Sequence, residues 1–91
     1  MKIRAMITVK GLVQGVNFRY YTQQTALLHS VSGWVQNLPD GSVAACLEGE
    51  ELDVRAVIDW CRKGPDWARV DEALVEIGEF RGEVTGFEIR R

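Results

Sequence analysis

Ile3-Arg4-Ala5-Met6-Ile7-Thr8-Val9-Lys10 alternates apolar and polar residues, and Gly11-Leu12-Val13-Gln14-Gly15-Val16-Asn17-Phe18-Arg19 then breaks that alternation with two glycines. A period of two is that of a strand with one buried face. From Phe18 to Leu28 the chain is free of Gly and Pro, and this length predicts a helix, although Thr22 and Thr25 weaken its apolar stripe. The opening of the chain therefore reads as strand, glycine-bearing loop, helix.

The remaining elements follow outward from this unit. Strands are expected over Ser32–Leu38 and Ser42–Glu48, the second with Val43, Ala45 and Leu47 on one face and Cys46 on the other. Pro39-Asp40-Gly41 between them supplies the fixed φ of Pro and the permissive φ of Gly, so the pair reads as a hairpin. Val54, Val57, Ile58 and Cys61 recur at helical spacing behind the acidic Glu50, Glu51 and Asp53, and Gly64-Pro65 stops that second helix. Val70, Ala73, Val75 and Ile77 mark a fourth strand, and Phe87 and Ile89 suit a short fifth.

The order strand, helix, strand, strand, helix, strand is that of the ferredoxin-like α+β sandwich: two helices packed on one face of a four- to five-stranded antiparallel sheet, with the first and third strands central. The 91 residues, 46% apolar and 26% charged, fit one domain spanning 1–91. A domain of this size buries roughly 60 to 70% of the surface its unfolded chain exposes, so its active site is expected to be shallow. Fold alone selects no activity, since this architecture hosts RNA binders, metal carriers and enzymes.

Composition narrows the classes. Eleven basic against thirteen acidic residues give a net charge of −2, with no basic run suited to nucleic acid or a membrane surface. The alternating start lacks the apolar core of a signal peptide, and no run approaches the roughly 20 residues of a membrane span, so a cytoplasmic location is expected. Cys46 and Cys61 match neither a CxxC site nor a dense disulfide framework and read as ordinary buried or half-buried thiols. His29 is the sole histidine, too little for a zinc site. Trp34, Trp60, Trp67, Tyr20 and Tyr21 read as packing residues rather than a base-stacking platform.

Gly11–Arg19 joins a strand to a helix N-terminus, where successive N–H groups and the helix dipole favour an anion. Gly15 permits close backbone approach, and Arg19 in the first helical turn can grip two phosphate oxygens. By spacing alone, the commoner reading is an ordinary glycine-bearing turn followed by a surface arginine. If the loop does bind phosphate, its chemistry is restricted. Val13 stands six residues before Arg19, where a cysteine-dependent phosphatase carries its nucleophile, and no Gly-Lys-Ser/Thr sequence ends the loop. Clustered carboxylates for magnesium are absent as well.

Val9-Lys10-Gly11-Leu12-Val13-Gln14-Gly15-Val16-Asn17-Phe18-Arg19 resembles the first signature of the acylphosphatase family, and Gly33-Trp34-Val35-Gln36-Asn37 with Gly41, Val43 and Gly49 resembles the second. The two motifs cover about a third of the chain, and Ala68-Arg69-Val70-Asp71 and Phe87-Glu88-Ile89 are similar to further family features. The resemblance implies hydrolysis of the carboxyl-phosphate anhydride of a small acyl phosphate to carboxylate and inorganic phosphate. It implies no metal, no cofactor and no covalent intermediate. Arg19 and the loop Gln14, Gly15, Val16, Asn17 and Phe18 take the place of the family's phosphate binders, and Asn37 that of its water-positioning asparagine. Asn37 alone would read as a turn residue before Pro39; the motif reverses that. A monomer is the default expectation. One stretch departs from the family pattern: Leu28-His29-Ser30-Val31-Ser32 lacks the usual helix-ending glycine and puts His29 forward for a left-handed cap.

Three other readings compete with this one. An acylphosphatase-like module of hydrogenase-maturation carbamoyltransferases would bring larger companion domains, for which 91 residues leave no room. A ferredoxin-like nucleic-acid binder would need a basic sheet face with aromatics on the central strands. A silent interaction domain would have no need of Arg19 and Asn37.

Overall fold

The computed structural model describes residues 1–91. In chain order the elements are β1 (Lys2–Leu12), α1 (Phe18–Leu28), β2 (Ser32–Asn37), β3 (Val43–Glu50), α2 (Glu51–Lys63), β4 (Arg69–Glu79) and β5 (Phe87–Arg90). They form a five-stranded sheet of order β4-β1-β3-β2-β5. β3 pairs antiparallel with both β1 and β2, and β4 antiparallel with β1. This is the expected ferredoxin-like α+β sandwich with one difference: β5 runs parallel to β2, so the sheet is mixed rather than wholly antiparallel. The reason is the route of the chain, which leaves β4 at one edge of the sheet and crosses to the other before β5 begins.

Alternation places Ile3, Ala5, Ile7 and Val9 of β1 beside Val43, Ala45 and Leu47 of β3 on one sheet face, where all are buried. Phe18 and Ala26 of α1 and Val54, Val57, Ile58 and Cys61 of α2 close over them. Phe18 anchors the start of α1: it is 2% exposed and its ring lies 5.5 Å from that of Trp60. Truncating such a side chain to Ala costs about 3–5 kcal/mol.

The first helix spans the residues expected, but β1 does not stop at Gly11. The ladder to β4 slips one register between Lys10 and Gly11, and the strand continues to Leu12. Gly11 has φ 132°, and a Cβ there would run into the Arg69 carbonyl, so the bulge depends on glycine. β2 ends at Asn37, one residue before the expected Leu38, and β3 runs on to Glu50 and directly into α2.

The left-handed position that ends α1 falls on Ser30 (φ 56°), whereas His29 keeps φ −97°. Val31 N–H donates to Ala26 O (2.8 Å) and Ser30 N–H to Leu27 O (3.2 Å), the paired bonds of a Schellman cap shifted one residue beyond His29. Cys46 and Cys61 are both free and buried. They cannot pair, because Cys61 belongs to the core under the helices and Cys46 projects from the opposite face of the sheet. There Cys46 is flanked by Met6 and Trp34, with the Arg90 guanidinium stacked 4.6 Å from the Trp34 ring. The β4–β5 connection also folds over this face, its Arg81 N–H donating to the buried Glu48 Oε2 at 2.6 Å. No helix is long and apolar enough to cross a membrane.

Candidate active site

The junction from β1 to α1 leaves a run of donors unpaired. Within the chain the first helical bond is Tyr21 N–H to Asn17 O at 3.1 Å, and no backbone carbonyl accepts from the N–H groups of residues 15–20. No side chain caps the helix, and no acidic residue stands in its first turn. Gly15 (φ 76°) and Asn17 (φ 61°) are both left-handed. Asn is among the few non-glycine residues that tolerate this conformation. Such a turn exposes consecutive amides on its concave side, which together with the helix dipole makes an anion-binding concavity.

A cleft of about 300 Å³ opens at this junction, lined by Val13, Gly15, Asn17, Phe18, Arg19 and Tyr20 from the loop and helix, Asn37 from the end of β2, and Ile89 and Arg91 from the C-terminal segment. The sheet order brings the two halves together: the end of β1 and the end of β2 lie at the same edge because both strands run antiparallel to β3 between them. Two arginines, Arg19 and Arg91, and no Asp or Glu line this cleft in a chain of net charge −2. Their side-chain charge is of the sign that attracts anions.

Arg19 is half-buried, and its Nη1 donates to Arg90 O at 3.0 Å. A guanidinium has five N–H donors in a rigid fork, so a single bond to β5 fixes the group from behind and leaves the rest free. Gln14, expected in the phosphate-binding loop with a weaker role in orienting it, turns its side chain to the β2–β3 hairpin. Its Nε2 donates to Leu38 O at 2.8 Å and to Ser42 O at 2.9 Å, clamping the loop to the β2–β3 hairpin. That clamp fixes the spacing between the loop and Asn37. In the hairpin turn Ser42 offers its hydroxyl and its N–H to Asp40, which holds that carboxyl below its usual range. Val16, also expected in the phosphate loop, lines a neighbouring groove. Gly15, Asn17, Phe18, Arg19 and Asn37 do line the cleft.

Tyr20, Ile89, Arg91 and the Arg90 carbonyl were not expected at the site. The signal that could have placed the last three is the parallel pairing of β5 with β2, which sets Arg90 opposite Gln36, one residue from Asn37. No group of three or more His, Cys, Asp or Glu side chains is gathered to hold a metal ion. The buried Cys61 thiol is pushed up to about 12 by loss of solvation, and it lies in the core.

Comparison with known proteins bears on what this cleft serves. A family model for acylphosphatase matches residues 5–89. The chain belongs to the acylphosphatase family. It is 70% identical to an acylphosphatase of Geotalea uraniireducens over 98% of both chains. The crystal structure of acylphosphatase from Bacillus subtilis superposes with a TM-score of 0.94 at 30% identity, covering 98% of this chain and 99% of that one. A full-length HypF structure, in a phosphate- and nucleotide-bound form, matches all of this chain with 12% of its own at 29% identity and a TM-score of 0.90. As an acylphosphatase, the protein is a hydrolase whose substrate is a small acyl phosphate and whose product is phosphate.

Proposed function

We propose that this acylphosphatase works by direct attack of water on phosphorus, with the donors at the start of α1 and the Arg19 guanidinium holding the phosphoryl group and Asn37 positioning the water. The reading rests above all on the unpaired N–H groups of residues 15–20, in a segment whose Gly15, Asn17, Phe18, Arg19 and Tyr20 line one cleft with Asn37. Negative charge on the equatorial oxygens meets preorganised donors, which stabilise it as bonding to phosphorus loosens. The water oxygen forms the new P–O bond while the bond from phosphorus to the acyl oxygen breaks. The electron pair leaves on the carboxylate, and one water proton passes to a phosphate oxygen. A carboxylate is a good leaving group, so the step needs no strong general acid. A dedicated metal is not required either, because the charge is met by N–H donors and guanidinium. Residues 1–91 act in this reading as one domain and as a monomer.

The test is hydrolysis of benzoyl phosphate in excess chelator by the parent and by Asn37→Ala. Undiminished turnover by the parent and a turnover lower by about 10²-fold or more in the folded variant, with KM little changed, are expected for loss of a group that acts on the attacking water. Full turnover in a folded Asn37→Ala variant would remove the water-positioning role, and loss of parent activity in chelator would remove the metal-free step.

A further inference from the structure

A second groove, of about 370 Å³, opens beside the phosphate cleft and shares Asn17 with it. Val16 of the loop, Tyr21 and Thr25 of α1, Trp60 of α2, and Pro65 and Trp67 of the α2–β4 connection line it. Three of its lining residues, Tyr21, Trp60 and Trp67, are aromatic. Trp60 packs on Phe18, and the Tyr21 ring stands edge-on to Tyr20 with centroids 5.1 Å apart. Trp67 differs from both: it is 82% exposed, although burying a side chain of this kind is strongly favourable. Core packing does not account for the position of Trp67.

Direction singles out this groove. In-line displacement puts the leaving oxygen opposite the entering water. Asn37 ends β2, on the side of the sheet that α1 covers, whereas the groove lies between α1 and α2, toward the part of the sheet made by β1, β3 and β4. Asn17 lines both the cleft and the groove, so an acyl group that leaves on the side away from Asn37 has this groove as an adjoining surface. Asp66 is the only charged residue on the lining, so the groove disfavours an anionic acyl chain.

We propose that this groove is the acyl subsite, taking an uncharged aromatic or extended apolar acyl group against the face of Trp67. The proposal rests on the phosphate reading of the neighbouring cleft and adds a substrate class to it. Trp67 is here a specificity-determining residue that acts on the acyl group rather than on the phosphoryl group.

The experiment compares kcat and KM for benzoyl phosphate and acetyl phosphate in the parent, Trp67→Ala, Trp67→Phe and Tyr21→Ala. The intrinsic reactivities of the two substrates cancel when each variant's ratio is divided by the parent's. Trp67→Ala is expected to raise KM for benzoyl phosphate about five- to tenfold, as loss of a ring-on-ring contact does, and to leave acetyl phosphate within about twofold. Trp67→Phe should keep most of the benzoyl preference, and Tyr21→Ala should lower it in the same direction. Equal losses on both substrates, or an unchanged ratio in both alanine variants, overturn the acyl subsite while leaving the phosphate reading intact. A folded parent that hydrolyses neither substrate overturns both.

Discussion

Helices α1 and α2 follow adjacent strands of one sheet, β1 and β3, yet their N-termini are built from opposite chemistry. At α2 the strand passes straight into the helix. Glu50 stands at the cap, Glu51 and Asp53 occupy the first turn, and Glu51 N–H donates to Met1 O at 2.9 Å. The partial positive charge of that terminus, about half an elementary charge, is answered by the chain's own carboxylates. At α1 a loop intervenes, no acid stands in the first turn, the amides of residues 15–20 have no backbone partner, and Arg19 adds positive charge to a terminus that is already positive. Because β1 and β3 are antiparallel, the two termini lie at opposite edges of the sheet. The contrast separates a terminus whose charge the chain itself answers from one whose donors it leaves unanswered, and the proposed function assigns those donors to the phosphoryl group.

This contrast makes the effects of substitution predictable. The largest belongs to Arg19→Ala, for which kcat/KM with benzoyl phosphate is expected to fall about 10²- to 10³-fold. The melting temperature should stay within a few degrees, because removal of an unfavourable charge–dipole interaction offsets loss of the bond to Arg90 O. Paired kinetics and thermal melts check both halves. Asn17→Asp gives α1 the acid that α2 already has. Asp tolerates the left-handed conformation, so folding should hold or improve, while repulsion of the phosphoryl group lowers kcat/KM about ten- to a hundredfold. A variant that lost stability and kept activity would contradict the comparison directly.

The converse change, Glu51→Gln with Asp53→Asn, should lower stability by about 1 kcal/mol in urea and leave hydrolysis unchanged. Smallest is Ser30→Gly at the far end of α1. It relieves a left-handed serine and should add about 0.5 kcal/mol to stability without altering kinetics.

The parts legible in the sequence were those written in local patterns. Phe18–Leu28 lacks breakers and forms the helix expected of it, and the alternation of Ile3, Ala5, Ile7 and Val9 gives the buried face of β1. Chain order alone placed β1 and β3 at the centre and so brought Asn37 to the same edge as Gly15 and Arg19. What local patterns do not carry is contact between distant residues. The Gln14 side chain reaches 24 and 28 residues ahead to the hairpin, so the loop sequence pointed to an orienting role but not to the carbonyls it holds. β5 has four residues and pairs in parallel with β2, and neither its direction nor its support of Arg19 could be read from Phe87 and Ile89. The bulge at Gly11 and the cap at Ser30 are single-residue shifts of register, which leave the surrounding composition unchanged.

The central claim is that the open terminus of α1 binds the phosphoryl group and the filled terminus of α2 does not. Titration of the ¹⁵N-labelled protein with inorganic phosphate, followed by amide chemical shifts, tests it most directly. Saturable shifts at Gly15 through Tyr20, with Glu51 to Val54 unmoved, are predicted; shifts of equal size at both termini, or none at the first, would contradict the account.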